Sequence, residues 1–462
     1  MNLHDSLRHS FRPRQLLSDY GMLGVLVLLA ILFSVLTLQE QHPTGEVAAG
    51  KLLERLGERP PRGAVIVVTP ANDQDRAFAR AIDEGLGKRG VAVAAIVTGE
   101  PSAVRSQLAL TEPVEGRTTI LTTEAYAPVV ASILGQLPHL ASSEVVTPPS
   151  YRWPTFLLAD NLRNVANQIA VIAIIAIGMT MVIITAGIDL SVGSLVALSA
   201  VIAAWFVGYL GGEQASFGGM MAGGAVAILL CGLTGAFSGA MITRFRIPPF
   251  IATLAVMQVA AGVAYIISEG KPIYRLPETF VTLGRGAEPL LKVPYAVILM
   301  FALYFIAHIL MSRTPLGRYI YATGGNMEAA RLAGIRVNGV LVFVYTICGS
   351  LAGLGGVLMA SQLRSGAPTY GVTYELYVIA AVVVGGTSLS GGEGKIFGTL
   401  IGAFVIAVIQ NGMNLTNVET YTQKVVLGLV ILAAVLLDRL KQGRFRRDRK
   451  STRLNSSHGK LS

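Results

Sequence analysis

Asp189 is the only acidic residue between Val165 and Tyr209, inside apolar sequence long enough for two membrane crossings. A carboxylate in that setting has two chemical readings. As a cap, it accepts hydrogen bonds from the orphan N–H groups of a helix starting at Leu190. As part of a path, Asp189, Ser191 and Ser194 face a translocation route or its gate, because ionisable groups within a membrane usually serve function. Both readings can hold together. The heptapeptide around it, GIDLSVG at residues 187–193, is echoed by GTSLSGG at residues 386–392, with the shared pattern G-x-[DS]-L-S-x-G. The second copy carries the hydroxyls of Thr387, Ser388 and Ser390 in place of the carboxylate. With Gln410, Asn411 and Asn414 they supply hydroxyl and amide partners without fixed charge, which suits the passage of a neutral polyol. Ser and Thr can equally bond back to their own helix carbonyls. Duplication and chance both account for the echo, since Gly, Ser and Leu abound here.

Residues 389–395, LSGGEGK, contain fragments of nucleotide-binding signatures that fail on inspection. A phosphate loop needs G-x-x-x-x-G-K-[ST], but Leu389 stands at its first glycine and Ile396 at its final hydroxyl. No nucleotide site, catalytic residue or metal-ligand set is read from this chain. If ATP drives it, a separate subunit hydrolyses the ATP.

The elements that must position these residues belong to a membrane protein. The 462 residues are 52% hydrophobic and 14% charged, with a mean hydropathy of +0.59, which excludes an ordinary soluble enzyme. Cys231 and Cys348 both lie in apolar runs, so neither a disulfide framework nor a thiolate metal site is expected. The net charge of +10 comes from basic residues at the ends of apolar runs, not from a stripe interleaved with aromatics. That pattern marks membrane orientation, and nucleic acid is not expected as a partner.

The pattern predicts an all-α polytopic membrane protein of about ten transmembrane helices with an inserted small α/β domain built on a parallel sheet. Residues 1–38 form a basic leader, with Arg8, Arg12 and Arg14, and a first span at 21–38 that lacks a small-residue cleavage signature. Further spans are expected at residues 165–186, 190–209, 219–242, 250–267, 293–311, 341–359, 376–389, 396–409 and 425–437. The 376–389 span is unusually short. Arg244, Arg246, Arg313, Arg318, Arg331 and Arg336 then fall on the cytoplasmic side, with both termini inside. Lys271, Arg275, Arg285 and Lys292 fall outside, among Glu269, Glu278 and Glu288. Residues 161–447 form the transmembrane domain. Residues 448–462 read as a non-native tail, since DRKSTRLNSSH resembles one frame of a sequencing-library adapter.

Residues 39–160 differ in character, with normal charge density and strand-helix alternation. Strands are expected at 64–68, 91–97 and 118–122, and helices at 73–88, 101–110 and 125–137. That order implies a parallel sheet covered by helices. With the first span running outward, the domain is expected in the periplasm.

The segment GGNMEAARLAGI at residues 324–335 lies in the longest inside loop. Its small residues allow close helix approach, while Glu328 and Arg331 can pair on an exposed face. Its E-A-A-x-x-x-G pattern at Glu328, Ala329, Ala330 and Gly334, after Gly325 and Asn326, resembles the coupling motif by which ABC importer permeases dock on their ATPase. An ordinary amphipathic loop helix is the plain alternative. GMTMVIITAGIDLSVGSLVALSAVIAA at residues 178–204 and GGTSLSGGEGKIFGTLIGAFVIAVIQNGMNL at residues 385–415 are similar to the ribose-type branch of those permeases. The resemblance covers about residues 161–440 and the first span. It implies a permease subunit importing a monosaccharide, ribose or similar, across the bacterial inner membrane. It further implies two cytoplasmic ATPase subunits that use ATP and Mg, a periplasmic sugar-binding protein, and a homodimeric or paired permease, the second copy of this chain being the homodimer partner. This chain itself is expected to bind no cofactor. A secondary transporter, or a membrane receptor with the periplasmic domain as sensor, is the rival class. The family joins its first two spans by a short loop, whereas roughly 110 residues intervene here. Residues 63–137 are similar in order to the first lobe of periplasmic sugar-binding proteins but too short for both lobes of a clamshell. They are expected to dock the delivery protein or sense its load.

Overall fold

The computed structural model describes residues 13–58, 61, 63–111 and 118–436. The expectations for Arg8 and Arg12, the side chain of Arg14 and the tail at residues 448–462 lie outside the described residues. The chain forms two compact units, one of residues 38–155 and one of the remainder.

The first unit opens with β1 (Leu38–Gln41), which pairs antiparallel with β6 (Tyr151–Pro154) and so closes the unit at its own chain ends. Between them lie α2 (Gly45–Glu58), β2 (Val65–Thr69), α3 (Asp73–Gly87), β3 (Val93–Thr98), α4 (Pro101–Ala109), β4 (Thr119–Thr122), α5 (Ala127–Leu134) and β5 (Glu144–Val146). The sheet order is β3-β2-β4-β5, with every pairing parallel. Alternation along β2 sends Val65 and Val67 to one face, against Leu52 and Leu56 of α2 and Phe78, Ile82 and Leu86 of α3. Ile66 and Val68 point the other way, against Val104 and Leu108 of α4 and Val130 of α5. Both sheet faces are therefore covered, as parallel sheets require. The expected strand-helix order is present. The elements not foreseen are α2, β5 and the β1–β6 pair.

The second unit is helical. Its elements are α1 (Pro13–Leu36), α6 (Ala159–Ile184), α7 (Val192–Tyr209), α8 (Phe217–Phe245), α9 (Pro249–Ile267), α10 (Thr282–Arg285), α11 (Tyr295–Arg313), α12 (Pro315–Gly325), α13 (Met327–Leu332), α14 (Val337–Leu363), α15 (Tyr374–Val384), α16 (Ile396–Leu415) and α17 (Thr420–Leu436). Among the described residues seven helices are long and apolar enough to cross a membrane, namely α6, α7, α8, α9, α11, α14 and α16. Three shorter apolar stretches, Gly21–Leu36, Tyr374–Val384 and Thr420–Leu436, stand where the remaining spans are expected.

Helix α14 is the hub, packed on α6, α7 and α8. Glycines make that packing possible, since lipid supplies no hydrophobic drive and backbones must approach closely for dispersion to hold them. A methyl at Gly178 of α6 would stand 2.6 Å from the Cα of Cys348 on α14, and one at Gly353 of α14 would stand 2.9 Å from the Cα of Ile228 on α8.

Two helices begin inside the bundle. Ser199 of α7 donates to the carbonyl of Gly353 on α14 at 2.6 Å. Gly353 lies about 24 Å along α14 from its start, but Ser199 only about 10 Å along α7. The start of α7 therefore stands well past the start of α14, and residues 185–191 climb back into the bundle to reach it. Helix α15 is also short. Its 11 residues rise only about 16 Å, half the apolar thickness of a bilayer. The expected span at 376–389 thus ends early, at Val384, and residues 365–373 before it have no helical structure.

Candidate functional site

The first motif copy is built by the return from α6 to α7. Asp189 is fully buried, and its Oδ1 accepts from the backbone N–H of Ser191 at 2.9 Å and from the Ser191 hydroxyl at 2.6 Å. Ser191 is itself the N-cap residue of α7, so Asp189 braces the cap and does not fill the cap position. The Leu190 N–H donates to Thr253 Oγ1 on α9 at 3.2 Å, which ties the same turn to a third helix. Among the described residues, Asp189 Oδ2 and the hydroxyl of Tyr345 are buried without a hydrogen-bond partner. Tyr345 and Cys348, both on α14, are close enough to Asp189 to interact electrostatically. Ser194 is half-buried in the first turn of α7.

The second copy lies at the end of α15, beside the end of α6. The Gly392 N–H donates to the carbonyl of Ile184, the last residue of α6, at 2.8 Å. A methyl at Gly391 would stand 2.8 Å from Cβ of Ala186. The two copies are thus neighbours. Thr387 is buried and its Oγ1 has no partner among the described residues, Ser388 is buried with its hydroxyl accepting from the Ser390 N–H at 3.2 Å, and Ser390 is exposed.

The amide group of the expected path lies elsewhere. Asn411 exchanges two hydrogen bonds, at 3.0 and 2.9 Å, with Asn161 at the start of α6. Asn414 accepts from Gln423 at 2.8 Å, and Gln410 is half-buried one turn earlier. All three sit near the C-terminus of α16, about 20 Å along that helix from the hydroxyl group at its start. Sequence proximity grouped them, and the helix separates them.

The E-A-A segment forms α13, a six-residue helix with both ends capped. Asn326 Oδ1 accepts from the Ala329 N–H at 3.0 Å. At the far end Gly334 takes φ +82°, and the N–H groups of Gly334 and Ile335 donate to the carbonyls of Arg331 and Ala330, each at 3.0 Å. That pair of bonds is the Schellman ending, which needs a residue tolerant of left-handed backbone. Gly334 therefore terminates the helix, and it is exposed there. Glu328 and Arg331 pair at 3.1 Å on the exposed side, and Ala330 is buried against Val337 and Leu341 of α14. Ala329 is exposed, as is Leu332 at 90%. The sequence pattern did not single out this bare leucine beside an ion pair on a short helix capped at both ends.

The neighbouring α12 links α13 to the motif copies. Its Tyr321 hydroxyl donates to the carbonyl of Gly394 at 2.7 Å, and partial burial raises that phenol above its ordinary range. Gly324 and Gly325, at the end of α12, pack on the backbone of Ile184 and Gly392 so closely that a methyl at Gly324 would overlap the Ile184 carbonyl. The exposed helix is thus joined through α12 to the second motif copy and to the end of α6, three residues before the first copy.

Sequence reading missed Glu375. It begins α15, half-buried, and a methyl at Gly193 of the first motif copy would overlap both its carboxylate and the carbonyl of Gly371. In the sequence it is an acidic residue adjoining an apolar run, and a span that begins at Leu376 leaves it just outside.

The α/β unit carries a cleft of about 440 Å³ at the carboxyl ends of β2 and β4, where the strand order turns back on itself. Asn72, Asp73, Glu124 and Tyr126 line it, and His42 Nδ1 lies 2.6 Å from Glu124 Oε2. In open parallel sheets that position is where ligands bind. The Tyr126 hydroxyl, raised above its ordinary range by burial and then by Glu100, donates to the Gly99 carbonyl at 3.1 Å.

Comparison with known proteins accords with this geometry. Residues 161–435 match the family described as branched-chain amino acid transport system / permease component. The ribose import permease protein of Escherichia coli (strain K12) is 44% identical over 293 residues, covering 63% of this chain and 88% of that protein. The ribose import permease protein of Bacillus subtilis (strain 168) is 44% identical over 297 residues, covering 62% and 87%. The D-allose transport system permease protein of E. coli K12 is 37% identical over 285 residues, covering 62% and 85%. No solved structure matches the chain. Because the matched stretch takes in more than half of the 462 residues and follows the helical bundle from α6 to α17, the chain belongs to the branched-chain amino acid transport system / permease component family and is an ABC-type permease subunit, not a catalytic one.

Proposed function

We propose that this chain carries a neutral monosaccharide, ribose or a close relative, across the bacterial inner membrane as the permease of an ABC importer. A separate ATPase subunit consumes ATP and Mg, a sugar-binding protein delivers the cargo, and a second copy of this chain completes the pathway. The observation that carries the reading is α13. A six-residue helix capped at both ends, with Glu328, Ala329, Arg331 and Leu332 outward, is a rigid knob, and through Gly324 its motion reaches both motif copies. A motor docked there can move the turn that holds Asp189 without touching it. A secondary transporter has no use for such a knob.

In this reading α13 and both termini lie in the cytoplasm, and residues 39–160 lie in the periplasm. The α/β unit there docks the delivery protein or senses its load, with the cleft at β2 and β4 as its contact face. The test is reconstitution with the ATPase and binding protein in proteoliposomes, across D-ribose, D-allose and L-arabinose. Sugar uptake that needs ATP and is lost with Leu332→Asp supports the reading. Uptake that proceeds without the ATPase overturns it. Deleting residues 63–137 should weaken dependence on the binding protein, and unchanged import kinetics would remove any transport role for the unit.

A further inference from the structure

The non-helical stretch at residues 365–373 runs down α7. A methyl at Gly366 would stand 2.6 Å from Cβ of Ala204, whereas one at Gly371 would stand 2.9 Å from Cβ of Val196. Five residues of chain thus pass about 12 Å of helix α7. The stretch is held above by the pairing of Gly366 with Ile273 and by the Ser365 hydroxyl against that of Tyr370, 2.5 Å away. Below, Thr373 turns through φ +69° and α15 begins. One side of this stretch is packed, with Ser365, Gly366, Ala367, Pro368 and Gly371 buried. The other side is open, with Thr369, Val372 and Thr373 exposed, Val372 at 65%, and the Glu375 carboxylate half-exposed beside them. Hydrocarbon cannot solvate an irregular backbone or a carboxylate, so non-helical chain at membrane depth survives only inside protein or beside water. The open side therefore does not face lipid.

We propose that this face lines the aqueous path, and that Glu375 is the specificity-determining group there, accepting hydrogens from the hydroxyls of a neutral sugar and turning away anionic ones. The chemistry follows from the parts. A carboxylate accepts two hydroxyl hydrogens at once. Tyr374 and Tyr377, half-buried with their rings edge to face 6.3 Å apart, offer aromatic faces beside it to the apolar side of a sugar ring. Gly193 lets the carboxylate sit against α7, and the turn that holds Asp189 ends two residues before that glycine. A motor stroke that shifts residues 185–191 thus reaches the sugar contact. This proposal rests on the importer reading above.

The experiment separates the two. Val372→Cys and Thr373→Cys are introduced singly, the native Cys231 and Cys348 being buried, with Leu229→Cys on the apolar surface of α8 as control. A charged, membrane-impermeant thiol reagent should label the first two and not the third, and D-ribose should slow that labelling. Glu375→Gln, close in shape, should assemble with the ATPase and keep basal ATP hydrolysis while uptake of D-ribose falls at least about tenfold. It should also narrow the preference for D-ribose over ribose 5-phosphate, a shift that a purely structural glutamate would not cause. Labelling no faster than at Leu229→Cys, or full uptake with unchanged discrimination in Glu375→Gln, overturns the proposal. Failure of the unsubstituted protein to import any sugar would instead overturn the importer reading.

Discussion

The two copies of G-x-[DS]-L-S-x-G share letters and lie side by side, yet the backbone treats them differently. In the first, residues 187–193 climb into the bundle and the final glycine, Gly193, is already helical, its role being to let Gly371 and Glu375 approach. In the second, residues 386–392 stay at the bundle end. Gly386, Gly391 and Gly392 all take positive φ there, at +89°, +82° and +75°. The first copy thus uses glycine for lack of a side chain, and the second for freedom of backbone. A carboxylate accompanies the buried copy because a non-helical turn inside the bundle leaves N–H groups that only a side chain can satisfy. The second copy, nearer the surface, can satisfy its own turn with the Ser388 hydroxyl.

The sharpest way to break this contrast is Asp189→Ala, which strips the acceptor from the Ser191 N–H and hydroxyl and should cost about 2–3 kcal/mol of stability. Thermal unfolding in detergent measures it. Asp189→Asn keeps one oxygen and should cost much less, so loss of uptake by that variant at near-normal stability would assign the carboxylate to the path as well as to the cap. Gly193→Ala should follow at about 1–3 kcal/mol, because the clash is with the Gly371 backbone. Gly392→Ala should cost about 1–2 kcal/mol, from left-handed strain and the close approach of Gly325. If Gly193→Ala proved neutral, the close approach of Gly371 would be excluded. The smallest effect belongs to Thr387→Val. The buried hydroxyl there has no partner, so stability should change by less than about 1 kcal/mol. A large drop in uptake would then place that hydroxyl on the path.

The α/β unit was the more legible half. Water on one side of each helix forces an amphipathic period, and Phe78, Ile82 and Leu86 are buried as that period requires. Helix α2 carried the same signal in Ala48, Ala49, Leu52 and Leu56, all buried, but it went unread beside a membrane span. In the helical unit periodicity is silent, since every face of an apolar helix is apolar. Asp189 was found because charge is conspicuous in such a run, whereas the separation of Asn411 from Thr387 depends on where α16 starts and how far it rises.

The sequence by itself determined that the chain is a multi-pass helical membrane protein and that the segment around Glu328 forms a short helix with Glu328 and Arg331 on its exposed face. Partition into lipid and capping of a short helix are local, fixed by residues a few positions apart. Only the tertiary structure decided how deep in the bundle residues 365–373 lie, alongside α7, and that Glu375 meets Gly193. Depth is set by the register of one helix against another, and contacts between residues far apart in the chain leave no period in the sequence to read.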